Sequence, residues 1–228
     1  MVIQAAAMIA IYTVIFSKVM GARLPGSQDA FSYGIYLCSG FVTWFYFVEI
    51  VSRCQTVFID NANLLKTLSF PRAVLPLVVV GTATINFAVV AGIFLIALWL
   101  LGSWPGVHLW AVLPLLAVQV VLAIGLGVLT GTINVFFRDV AQAVAILLQF
   151  WFWLTPIVYP VEIVPERILV FLGWNPLAPI VEGYQHIVLE GALPAWNTLI
   201  YPGSVAAGLA VMAYVAFRSL GSDVVDEL

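Results

Sequence analysis

The sequence has little charge. Only 8% of its 228 residues are Asp, Glu, Lys or Arg, where a soluble domain carries about 25%. With 64% hydrophobic residues, a core of this size could not hide so much apolar surface, so the solvent is lipid. The net charge of −3 leaves no basic footprint for nucleic acid. Cysteine is nearly absent. Cys38 and Cys54 fall in one apolar helix, about 24 Å apart along its axis, too far to bridge each other. There is no CxxC or HExxH, and His108 and His186 have no ligand cluster around them in sequence, so no metal site is expected. No G-x-x-x-x-G-K-[ST] occurs, so the chain does not cradle ATP phosphates by a P-loop.

What is present is a series of apolar runs. The first, residues 2–16 or 17, has no basic segment ahead of it and no cleavage site before Lys18. It reads as a short span rather than a signal peptide. Further spans are expected at 31–51, 73–101, 109–134, 140–155 and 199–217. The third is about 43 Å long if helical, so it tilts or extends past the bilayer. Gly125, Gly127 and Gly131 allow close packing in the fourth. Glu49 and Arg53 fall at the end of the second, four apart with Glu first, the favourable order for a helical ion pair. With no other ionisable residue inside a span, a gradient-driven carrier is disfavoured.

Residues 134–160, NVFFRDVAQAVAILLQFWFWLTPIVYP, organise the rest. Arg138 and Asp139 mark a water boundary, because a charge at bilayer centre costs about 3 kcal/mol on insertion scales. Gln142 and Gln149 share a helical face with Ile146 and Trp153. Pro156 and Pro160 then end the regular helix. From 156 to 194, prolines and glutamates leave only short apolar pieces, 168–174 and 180–189. These are read as interfacial or re-entrant helices, tolerable only where protein or water covers their ends. Between the second and third spans, 60–72 is too short and polar to cross, and Leu64, Leu65 and Leu68 fall on one side of it. Six spans put both termini on one side. Arg53, Lys66, Arg72, Arg138 and Arg218 against Lys18, Arg23 and Arg167 make that side cytoplasmic. The fold class expected is all-α: a polytopic membrane protein, six transmembrane helices plus external re-entrant or interfacial helices.

Four phrases stand in order along the chain: NANLLKTLSFPRAVLP at 61–76, NVFFRD at 134–139, TPIVYP at 155–160 and NPLAPIVEGYQHIVLEG at 175–191. In these the chain resembles the ABC-2 permeases that export polysaccharides: O-antigen, capsule and teichoic acid. The resemblance covers nearly the whole chain, as one transmembrane domain. It implies a homodimer in the bacterial inner membrane paired with two ATPase subunits. ATP and Mg are then bound by that partner and none by this chain, and the substrate is a lipid-linked polysaccharide. It also implies an ATPase-docking segment at Asn61, Asn63, Leu64, Lys66, Phe70, Pro71 and Arg72, and a channel exit shaped by helices within 161–189. Such permeases begin with an amphipathic helix ahead of the first span. Its counterpart is not evident here, and a missing start is the favoured explanation.

A sliding glycan needs many weak, similar contacts, which aromatics and amides supply better than charges. Tyr33, Tyr36, Trp44 and Phe47 form one helical stripe. With Gln142, Gln149, Trp153 and Tyr159 they are the candidate channel residues. Each aromatic could instead pack between helices or sit in an interfacial belt, and Asn86, Gln119 and the two glutamines of 140–155 could simply bond between helices. Arg138–Asp139 and Glu49–Arg53 are read as boundary ion pairs, and His186 as an interfacial residue. Two alternatives remain: an ABC-2 exporter of drugs or small lipids, and a membrane-embedded glycan-processing enzyme. The second would need a catalytic cluster that the sequence does not display.

Overall fold

The computed structural model describes residues 31–67 and 73–219, all helix and connection with no strand among them. In chain order the helices are α1 (Ser32–Asp60), α2 (Ala62–Thr67), α3 (Val74–Leu100), α4 (Val112–Phe136), α5 (Asp139–Trp153), α6 (Glu166–Gly173), α7 (Ala178–Glu190) and α8 (Ile200–Ser219), with 3-10 turns at Gly106–Ala111, Val161–Ile163 and Trp196–Leu199. The expected first span and Phe70, Pro71 and Arg72 lie outside the described residues.

Among the described residues, four helices are long and apolar enough to cross a membrane: α1, α3, α4 with the turn that leads into it, and α8 with its own. Their prolines do not break them. Pro76, Pro114 and Pro202 each stand in a first turn, where the missing N–H would have no helical partner anyway. α5 has 15 residues, about 22 Å, short of the roughly 30 Å hydrocarbon layer.

α1 is the axis of the described structure. It packs against α3, α4, α5 and α7, and α4 in turn packs against α8. Its middle is buried almost throughout, whereas α3 and α8 are largely exposed, as helices that face lipid can be. Glycine sets the tightest contacts. A Cβ on Gly127 would stand 2.7 Å from the Cys54 side chain, and one on Gly125 2.8 Å from the Ala210 backbone nitrogen. The α4 glycines thus seat α1 on one side and α8 on the other.

α1 runs nine residues past the boundary read from sequence. Glu49 and Arg53 therefore do not stand at the helix end. Glu49 lies roughly 16 Å and Arg53 about 10 Å short of Asp60 along the helix. The expected ion pair does form, short of the helix end rather than at it. Apolar residues continue after Arg53 as Val57, Phe58 and Ile59, and the neutral residues among them make one uninterrupted helix.

Candidate functional site

Three polar junctions and one bare helix face are candidates for function. The first junction is where α4 turns into α5. Buried Asn134 accepts a hydrogen bond from the Ala141 backbone N–H at 3.1 Å and donates to the Gln55 carbonyl at 3.3 Å. Gln55 in turn donates to the Val140 carbonyl at 3.0 Å. A helix start leaves N–H groups without intrahelical partners, and here a side chain from the preceding helix satisfies one. Arg138 and Asp139 are exposed at this bend. No ion pair joins them among the described residues, so that expectation is corrected. Asp139 instead lies in the first turn of α5, where a carboxylate suits the helix dipole.

The second junction holds the irregular segment after α5. The Tyr36 hydroxyl lies 3.0 Å from the Pro156 carbonyl and 2.9 Å from that of Tyr159. Tyr33 donates to Val158 at 2.6 Å, and Gln185 to Pro156 at 3.1 Å. Asn175 donates to the Leu154 carbonyl and accepts from Trp151 Nε1 at 2.8 Å. Tyr159 donates to the Trp153 carbonyl at 3.0 Å. Carbonyls freed from the helix ladder are thus met by side chains, as apolar surroundings require. Gly40 makes room for the segment, since a Cβ there would stand 3.0 Å from Ile157.

The third junction joins α1 to α3. Arg53 Nη2 lies 3.2 Å from Glu49 Oε1, and the same oxygen accepts from Asn86 at 2.8 Å. Arg53 Nη1 donates to Thr82 Oγ1 at 3.2 Å, and the Tyr46 hydroxyl bonds Thr84 at 2.8 Å. Asn86 stands almost midway along α3.

The bare face belongs to α5. Of its residues only Val144 and Leu148 are buried. Gln142, Ile146, Gln149 and Trp153 are all exposed, Trp153 at 61%. The candidate channel residues therefore divide. The rings of Trp44 and Phe47 are covered within the protomer, at 6% and 0% exposure. They pack edge-on against Phe152 and Trp151 respectively. Tyr36 is buried, and Tyr33 and Tyr159 are half-buried in the second junction. Of the docking segment, Asn61 bonds back to Val57, Leu65 is buried, and Asn63, Leu64 and Lys66 are exposed.

Comparison with known proteins places this arrangement. The family profile described as ABC-2 type transporter matches residues 1–189. The chain belongs to this ABC-2 family. Among similar proteins, the O-antigen export system permease RfbA of Klebsiella pneumoniae is 30% identical over 185 residues, covering 80% of this chain and 69% of that protein. RfbA of Myxococcus xanthus is 28% identical over 211 residues, covering 92% and 79%. The polysialic acid transport protein KpsM of Escherichia coli is 22% identical over 205 residues, covering 88% and 76%.

In this ABC-2 domain the α1–α3 junction escaped sequence reading. Glu49 and Arg53 were legible as a pair, but their partners Thr82 and Asn86 stand in another helix. Asn86 and Gln119 could be recognised as interhelical donors, and both are: Gln119 Nε2 donates to the Thr43 carbonyl at 2.7 Å. Asn175 and Gln185 gave no periodic signal. The cue for them was the nearby proline-rich segment, whose free carbonyls need donors.

Proposed function

We propose that this ABC-2 domain is the permease subunit of an ATP-driven exporter that moves a lipid-linked polysaccharide across the bacterial inner membrane. It works as a homodimer with two copies of an ATPase, which binds the ATP and Mg. The α5 face carries this reading. Amides and an aromatic at Gln142, Gln149 and Trp153 stand uncovered on a helix that the protomer leaves almost bare. Such groups contact a sliding glycan weakly and repeatedly, where charges would hold it. The relatives' roles in O-antigen export and polysialic acid transport point the same way.

Six spans are part of the proposal, with residues 2–17 as the first and α5 with its continuation to 160 as the fifth. Both termini are cytoplasmic, and α6 and α7 lie toward the external side as interfacial or re-entrant helices. The segment around α2 docks the ATPase. Tyr33, Tyr36 and Tyr159 shape the exit by holding its backbone, and Trp44 and Phe47 support α5 from behind.

The test is export in a cell lacking its own exporter, with this chain supplied alongside a candidate P-loop ATPase from the same organism. Surface polysaccharide should be restored. Gln149→Ala with Trp153→Ala should cut export per recovered dimer while assembly persists. An unrestored surface, or an unchanged rate per dimer in the double variant, would sink the reading.

A further inference from the structure

The Arg53 guanidinium is a cation on a helix long and apolar enough to cross a membrane, and it is not enclosed. It is 38% exposed, whereas its acid partner Glu49 is 11% exposed. Of its five N–H donors, the described structure engages one with Glu49 and one with Thr82. Glu49 is further held by Asn86, and Thr82 passes its own proton to carbonyls of its helix. The pair is thus fixed on the α3 side, and Arg53 is its more open member. Exposed Ser52 and half-exposed Thr56 adjoin it on α1, in line with exposed Phe45 above. This open strip of α1 lies between the contacts to α3 and those to α5. A planar guanidinium matches carboxylate and phosphate in a bidentate fork, and of these the proposed lipid-linked substrate carries phosphate.

We infer that Arg53, oriented by Glu49, Asn86 and Thr82, is an anion-binding residue that receives the phosphate or diphosphate of the lipid-linked substrate on the open strip of α1. This rests on the export reading above. The lipid tail would lie against the apolar flank of the strip, and the hydroxyls of Ser52 and Thr56 would add donors. Glu49 makes the site neutral when empty, so the phosphate is held weakly enough to leave.

The full chain in phosphatidylcholine nanodiscs would be titrated with a polyprenyl diphosphate and read by native mass spectrometry. The diphosphate should bind and the parent polyprenol should not. Glu49→Gln, which leaves the cation unneutralised and keeps an acceptor for Asn86, should tighten binding. The neutral double variant Glu49→Gln with Arg53→Gln avoids an unpaired buried carboxylate and should bind about tenfold more weakly or worse. A purely structural pair predicts no tightening in Glu49→Gln. That result, or a double variant that binds like the parent, would overturn the assignment. Displacement of the probe by an equal mole fraction of phosphatidylglycerol would make this a headgroup site and overturn the assigned source. The export reading fails separately, if the unaltered chain with its ATPase restores no surface polysaccharide.

Discussion

Gly131 and Cys54 stand so close that a Cβ built on the glycine would lie 2.6 Å from the Cys54 carbonyl oxygen. The atom in the way is backbone, so no side-chain rotation relieves the clash. Only α1 or α4 moving apart would.

Gly131→Ala should therefore destabilise the protein by about 1–3 kcal/mol, read as a lower melting temperature in detergent. Gly81→Ala on α3, where nothing lies within 4 Å, should be neutral or slightly stabilising. Equal effects at the two sites would mean that the α1–α4 contact is not the close one.

Tyr36→Phe keeps the ring and removes the only donor from Tyr36 to the Pro156 and Tyr159 carbonyls. The expected loss is about 1–2 kcal/mol, with faster proteolysis or amide exchange across 156–160. Gln185 still serves Pro156, so Tyr36→Phe combined with Gln185→Leu should lose more than the sum of the two single losses. Simple additivity would argue against a shared junction.

Adjacent leucines on α2 should separate folding from coupling. Leu64 is 39% exposed and Leu65 is 7% exposed. Leu65→Asp should lower the yield of folded protein, since it places a carboxylate in the core. Leu64→Asp should leave the yield intact and abolish the stimulated ATPase activity of the complex. Normal stimulation in Leu64→Asp would take the docking role away from this helix.

Burial holds the Glu182 carboxyl above the ordinary carboxylate range; nearby His186 opposes this and Glu162 adds to it. The native state then keeps a proton that the unfolded chain has lost, between the ordinary value and the raised one. Stability should fall as pH rises through that window. Glu182→Gln should melt higher than the parent at neutral pH, and the two should converge below the ordinary carboxylate value. A parent whose stability rises across the window would contradict this.

Much of the protein was legible in one dimension. Composition required lipid as solvent, because 64% hydrophobic residues exceed what a soluble core can enclose. Runs and breakers located α1, α3, α4 and α8, and the glycine spacing in α4 marked its packing faces. The shared face of Gln142, Ile146, Gln149 and Trp153 follows from helical period alone, and all four are exposed together.

Period fixes which residues share a face but not what covers it. Tyr36, Trp44 and Phe47 do share a stripe, yet the irregular segment after α5 and the rings of Trp151 and Phe152 close over it. The helix continues past the end drawn at 51 for a related reason. Glu49 and Arg53 looked like a boundary because an isolated charge belongs in water. Their neutral pairing, completed by Asn86 and Thr82 of α3, lets the helix run on past them to Asp60. The sequence by itself determined the solvent, the helices and their periodic faces, since these depend on local composition and backbone geometry. Only the tertiary structure decided which faces stay open and which charges are compensated, because both depend on neighbours that are distant in the chain.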